Sequence, residues 1–275
     1  MSRQADPAPS YGVAIPEAPG IVRVVAPNPG PMTQHGTNSW ILAGPDGATV
    51  IDPGPDDAGH VAALLAVAGP IARIVLTHRH ADHAGAASAL REASGAPVVA
   101  HHAFSSALVR PDRTVGDGDA LPGLVAVHTP GHASDHLCLA TPDGVLFSGD
   151  HVMGWSTTAI SPPDGDMADF LRSLERLRAR ADRLLLPGHG AAIRDPAPLL
   201  STLLRHRLMR EAGLVAALRR APATLESLVA SEYHGLAPNL ARAAGATLLA
   251  HLAKLRDDGV AAEEGGVWRL SDRKG

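Results

Sequence analysis

The chain of 275 residues has a single cysteine, Cys138, so no disulfide can form within it. Cys138 falls in the alternating run His136-Leu137-Cys138-Leu139, which reads as a strand with the thiol packed inside. No stretch approaches the roughly 20 apolar residues that a membrane-crossing helix needs. The first 20 residues carry four prolines and no apolar core of the kind a secretory leader requires, and they read as a flexible lead-in. A reduced, cytoplasmic protein is the expectation. Lysine is scarce: Lys254 and Lys274 are the only two among 24 basic residues, a feature of coding bias more than of chemistry. The net charge of −4 argues against a general polyanion binder. The balance is uneven, since residues 1–200 hold 13 basic and 20 acidic residues (net −7), and residues 201–275 hold 11 and 8 (net +3). Hydrophobic residues make up 45% and charged residues 19%, which excludes wholesale disorder. The length suits one domain of about 200 residues with a small appendage.

Short apolar runs punctuated by Gly and Pro predict strands over 21–26, 39–43, 48–52, 71–76, 97–100, 124–128 and 183–187. Pro142-Asp143-Gly144 reads as the tight turn of a hairpin joining 136–140 to 145–147. Helices are predicted over 58–68, 83–94 and 167–180, so two runs of strands each lead into helices, an α+β pattern. After Pro198 the texture changes. Long helices over 199–219 and 238–258 flank a shorter one over 225–233 that Thr224 could cap, and a strand–turn–strand follows over 260–270. That order is the shape of a winged helix. The expected organisation is a flexible segment 1–20, a catalytic domain 21–198 and a winged-helix-like domain 199–275.

Chemistry concentrates in Thr77-His78-Arg79-His80-Ala81-Asp82-His83, directly after a buried strand. At a strand end residues i and i+2 face the same way, so one ion can take both His78 and His80. Asp82 and His83 follow as the chain turns and can reach a second ion. Imidazoles with a carboxylate suit zinc and similar metals. Further candidate ligands stand at other strand ends: His132 in His128-Thr129-Pro130-Gly131-His132, Asp150 after Ser148-Gly149, and His189 after Gly188. Asp52, closing another strand, is the candidate to hold a ligating histidine's second N–H. His101 and His102 are expected on the surface, His128 and His136 in structural roles, and His151 facing away from the ligands.

At these residues the sequence resembles the metallo-β-lactamase fold, whose signature order of H-x-H-x-D-H, then H, D and H is complete here. The resemblance implies a four-layer αββα sandwich with a binuclear site between the sheets. It implies one ion on His78, His80 and His132, another on Asp82, His83 and His189, and Asp150 bridging them with a shared hydroxide. Asp82 and Asp150 are then the catalytic carboxylates. His35-Gly36-Thr37-Asn38-Ser39, His128–His136, Phe147-Ser148-Gly149-Asp150, Pro187-Gly188-His189-Gly190, His206-Arg207 and Ala250-His251-Leu252 are similar to motifs of the lactamase-beta-2-like group, which carries a C-terminal winged helix. Members of that group resemble single-strand endoribonucleases or thioesterases of acyl-carrier-bound substrates.

The resulting expectation is a metal-dependent hydrolase with two divalent ions, zinc first and manganese or iron as alternatives. The expected substrate is a single-stranded RNA phosphodiester or a small ester or thioester. Absence of a cysteine ligand disfavours a true β-lactamase, and absence of a tyrosine soon after Asp150 disfavours a homoserine-lactone lactonase. A glyoxalase-II-like thioesterase and an iron persulfide dioxygenase remain as alternatives. The non-enzymatic alternative is a winged-helix regulator binding nucleic acid. Residues 239–258 offer few base-reading side chains, so sequence-specific DNA binding is not expected.

Overall fold

The computed structural model describes residues 7–233 and 238–271. Seven strands form the first sheet, in chain order: β1 (Ile15–Ala18), β2 (Ile21–Val25), β3 (Asn38–Leu42), β4 (Ala48–Ile51), β5 (Ile71–Val75), β6 (Val98–His101) and β7 (Arg113–Val115). Pairing is antiparallel from β1 to β4 and parallel from β4 to β7. The second sheet contains β8 (Ala120–Leu121), β9 (Leu124–His128), β10 (Leu137–Ala140), β11 (Val145–Gly149) and β12 (Leu184–Pro187), in the order β12-β11-β10-β9-β8. β11 and β12 run parallel, so both deliver their C-terminal ends to one edge.

Side-chain alternation sorts each strand between two cores. Trp40, Ile51, Val75 and Val99 of the first sheet pack with Leu137, Leu139, Phe147 and Leu186 of the second. Their alternates Ile41, Val50, Ile74 and Val98 face the other way, onto α1 (Ala58–Ala68) through Val61 and Leu64 and onto α3 (Ala87–Ser94) through Leu90. This period of two is what a sheet buried on both faces demands. Trp40 meets Phe147 edge to face at 6.0 Å in the middle layer, and its indole N–H donates to Pro187 O at 3.2 Å. A large apolar body thus ties the end of β12 in place.

Three local expectations are corrected. Residues 15–18, read as part of the lead-in, add the edge strand β1; Pro16 is tolerated there because an edge residue need not donate to a ladder. The helix over 83–94 is two helices, α2 (Ala81–Ala84) and α3, separated at Gly85-Ala86. His101 is buried, stacked on His128 with ring centroids 4.0 Å apart and planes 13° from parallel. Cys138 is fully buried, as its alternation predicts.

The chain divides into two compact units. The first comprises residues 1–129, 135–157 and 181–196, and holds both sheets described above. The second comprises residues 130–134, 158–180 and 197–275. It contains α4 (Met167–Ala179), α5 (Pro196–Arg220), α6 (Leu225–Glu232), α7 (Pro238–Asp257) and a small sheet of β13 (Ala223–Thr224), β14 (Ala261–Glu264) and β15 (Val267–Leu270). Leu214, Leu218, Leu228, Leu248, Leu252 and Trp268 form its core. Thr224 caps α6, accepting from Ser227 N at 3.3 Å. Arg207 lies over the Phe170 ring at 5.1 Å and donates to Thr158 O, so α5 is bound to the 158–180 segment. No helix among the described residues is long and apolar enough to cross a membrane.

Candidate metal centre

Residues 77–83 leave the end of β5 and turn into α2, with His80 at its N-cap and Asp82 and His83 in its single turn. Asp150 follows β11 and His189 follows β12. The register of the parallel pair sets Gly149 beside Pro187, so Asp150 and His189 emerge side by side. Gly188 lies between them. A Cβ there would stand 2.5 Å from Asp150 Oδ1 and 2.6 Å from His83 Cε1, so the absent side chain is the space the cluster occupies.

Hydrogen bonds fix which nitrogen of each ring is left to bind. Thr77 Oγ1 donates to Asp52 Oδ2 at 2.7 Å, so at 3.0 Å from His78 Nδ1 it can only accept. His78 therefore carries its proton on Nδ1 and presents Nε2. His83 Nδ1–H donates to Asp52 Oδ2 at 2.8 Å, and His189 Nδ1–H to Gly36 O at 3.2 Å, so both present Nε2. His132, in the second unit, donates Nδ1–H to Ala159 O at 2.8 Å and also presents Nε2. Each imidazole is oriented by an oxygen on its far side, the arrangement metal-binding histidines require. The loop holding Gly36 is itself fixed: Asn38 Nδ2 donates to Pro187 O at 2.9 Å and to Gly190 O at 2.8 Å.

The presented atoms converge. His83 Nε2 lies 3.3 Å from Asp150 Oδ1 and 3.3 Å from His189 Nε2. His189 Nε2 lies 3.3 Å from Asp82 Oδ2 and 3.4 Å from Asp150 Oδ1, and His83 Nε2 lies 3.8 Å from Asp82 Oδ2. Ligands bonded to one ion at about 2.1 Å in a tetrahedron stand about 3.4 Å apart, and the spacings of Asp82, His83 and His189, and of Asp150 from both imidazoles, are of that size. His78 Nε2 and His80 Nδ1 approach to 2.9 Å, and His78, His83 and Asp150 also group as possible ligands. The donor set fits divalent metal in kind and in spacing.

Electrostatics agree. Burial pushes the His189 pKa down, but the Asp150 and Asp82 carboxylates overcome it and raise it to about 9. His83 is raised well above its ordinary value against the same burial, by Asp150, Asp82 and Asp52. Burial opposes the charge on Asp82, yet His83 and His189 hold its pKa down to about 2. Asp150 is lowered well below the carboxylate range by the same two imidazoles, again against burial. A ligating nitrogen must be unprotonated, and His189 without metal is protonated below about pH 9. Metal binding at neutral pH therefore expels protons, and affinity strengthens by about tenfold per pH unit for each proton released. The Kd for zinc should fall by that factor or more per unit between pH 6 and 8 when measured by competition with a chelator. A flat profile would contradict the protonation pattern.

Of the residues predicted from sequence, His78, His80, Asp82, His83, Asp150 and His189 come together in the first unit, and His132 is placed on the 130–134 loop of the second. Asp52 orients His83 as expected. Thr77, which joins Asp52 to His78, was missed; its adjacency to the motif was the available signal.

A family model for the metallo-beta-lactamase superfamily matches residues 32–189. The chain belongs to the metallo-beta-lactamase superfamily. A beta-lactamase associated winged helix domain matches residues 224–268. The beta-lactamase-like protein 2 homolog of Drosophila melanogaster is 28% identical over 267 residues, 87% of this chain and 88% of that protein. These matches agree with the lactamase-beta-2-like group. An atrochrysone carboxyl ACP thioesterase of Passalora fulva is 29% identical over 212 residues, 73% of this chain and 62% of that protein. The chain thus spans less than two thirds of that fungal relative. The solved structure of a metallo-beta-lactamase family protein from Thermus thermophilus superposes with a TM-score of 0.77 at 26% identity, covering 92% of this chain and 99% of that one. The chain is accordingly a metal-dependent hydrolase of the metallo-beta-lactamase superfamily, with the fold of that family and a C-terminal winged helix.

Proposed function

We propose that the chain is a binuclear hydrolase of acyl thioesters, with zinc as its metal. The observation that carries the metal centre is the set of 3.3–3.8 Å spacings among His83 Nε2, His189 Nε2, Asp82 Oδ2 and Asp150 Oδ1. In this reading His78, His80 and His132 would hold one ion, Asp82, His83 and His189 would hold the other, and Asp150 would serve both. Two such ions lower the pKa of a shared water toward 7 and draw charge from the reacting oxygens. The chain's own part is orientation. Asp52, Gly36 O and Thr77 hold the Nδ1 protons of His83, His189 and His78, so that Nε2 is the nitrogen aimed into the site. Asp82, with its pKa held near 2, is a weak base, so its carboxylate directs the attacking water by accepting its hydrogen bond more than by removing its proton. The thioester assignment rests on the thioesterase named among the relatives. The domain bounds 21–198 and 199–275 belong to the same proposal.

Protein purified without added metal should contain about two equivalents of zinc by elemental analysis. A panel of acyl thioesters, carboxylate esters, lactoylglutathione and single-stranded RNA should then show the highest kcat/KM on a thioester. One equivalent of iron would favour the persulfide dioxygenase alternative, and cleavage of RNA alone would overturn the thioester assignment.

A further inference from the structure

Four hydrogen bonds behind the metal centre run in one direction and return to the strand they start from. Asp150 N–H donates to His136 Nε2 at 3.2 Å. Backbone N–H has no choice of role, so Nε2 must be a lone pair and the proton of His136 must sit on Nδ1. His136 Nδ1–H then donates to Thr129 Oγ1 at 2.9 Å. Thr129 spends its own hydroxyl proton on Cys138 Sγ at 3.3 Å. Cys138 Sγ–H donates to Ser148 O at 3.7 Å. Residues 148 and 150 of one strand end are thus held from both sides through three buried side chains. Between them Gly149 adopts φ 46°, and a Cβ there would stand 2.5 Å from His136 Nε2. Glycine at 149 thus leaves the room in which His136 packs against the bend that turns Asp150 toward His83 and His189.

We propose that His136, Thr129 and Cys138 form one positioning unit that clamps the backbone of residues 148–150 and thereby sets the Asp150 carboxylate between the ions. The role of Asp150 in this statement rests on the binuclear reading above; the clamp itself does not. The four bonds reach Asp150 through its backbone, so through them the three side chains act by way of Asp150. The directionality makes the unit cooperative. If Thr129 loses its hydroxyl, His136 Nδ1–H loses that acceptor, and moving the proton to Nε2 would set two donors against each other at Asp150 N.

The variants that separate these links are Thr129→Val, Thr129→Ser, Cys138→Ala and Cys138→Ser. Nitrogen-15 NMR of the native protein should show His136 as the Nδ1–H tautomer; an Nε2–H ring would overturn the proposal. In Thr129→Val the Asp150 amide should lose hydrogen-exchange protection, and chelator competition should show metal affinity down by about 10–100-fold, the usual effect of losing a group that supports a ligand. Thr129→Ser should restore both. Cys138→Ala should lose a few-fold and Cys138→Ser should recover it, which keeps the test available if Thr129→Val does not fold. Equal metal affinity and equal Asp150 exchange in the Val and Ser variants would refute the clamp. A native protein that binds no metal, yet shows the Nδ1–H tautomer and the exchange difference, would instead overturn the binuclear reading and leave the clamp standing.

Discussion

Replacing Asp150 with alanine should lower kcat/KM by at least about a thousandfold, or about 4 kcal/mol of transition-state stabilisation. Its Oδ1 stands close to both buried imidazoles at once, 3.3 Å from His83 Nε2 and 3.4 Å from His189 Nε2. Without it one ion is lost or loosened, and metal content should drop toward one equivalent. Asp150→Asn keeps the shape but removes a negative charge that would balance the two dications of the proposed centre, so it should fail almost as badly. Both variants should fold. Asp150 raises the pKa of His83 and His189, and its removal lets those rings shed their protons, so no uncompensated cation is stranded. Circular dichroism, metal analysis and kinetics on the same preparations decide the matter. Near-native activity in Asp150→Ala would mean that the proposed bridge is misassigned.

The second large effect is expected at Asp52, which never meets the metal in the proposed arrangement. Its carboxylate accepts from Thr77 N at 2.8 Å, Thr77 Oγ1 at 2.7 Å and His83 Nδ1 at 2.8 Å. It does so from a left-handed backbone conformation, φ 52°. Asp52→Ala leaves three buried donors without an acceptor and a Cβ-bearing residue without a polar group to favour that conformation. A loss of about 3–5 kcal/mol is expected, since each stranded buried donor costs about 1–3 kcal/mol. Asp52→Asn tolerates the backbone but turns an N–H toward at least one donor. It should cost less stability while still lowering metal affinity by about 10–100-fold. Chemical denaturation and chelator competition, run side by side, separate the two. An Asn variant with native affinity would show that orientation of His83 does not depend on the Asp52 charge.

The candidate ligands were legible because most of them are contiguous. His78, His80, Asp82 and His83 lie within six residues, and strand geometry alone brings the first two together. Asp150 and His189 were legible because each follows an apolar run and a glycine. What supports them was not. The bond from Thr129 to Cys138 spans nine residues of sequence, and that from Cys138 to Ser148 depends on the pairing of Leu139 with Phe147 across the hairpin. Nothing in composition announces such pairs. His101 was misjudged for the same reason, since its burial comes from His128, a residue on the other sheet. The edge strand β1 was hidden by Pro16 within it and Pro19 just after it. The association of 158–180 with the C-terminal helices rests on contacts such as Arg207 with Phe170, which no local pattern encodes.

The hairpin of β10 and β11 puts its tip, Pro142-Asp143-Gly144, at the opposite end of the ladder from Asp150. Along β11, Val145 and Phe147 face the second sheet's inner side, while Leu146 and Ser148 face out. Insertions and deletions should therefore have sharply unequal consequences along a dozen residues. Extra length at the tip lies beyond the ladder and should be accommodated there, which makes residues 142–144 a place to graft a tag or a second domain. One residue removed between 145 and 149 would exchange inner for outer side chains and carry the following carboxylate to the wrong face. The role proposed for residue 150 depends on the parity of a short strand as much as on the identity of its side chain.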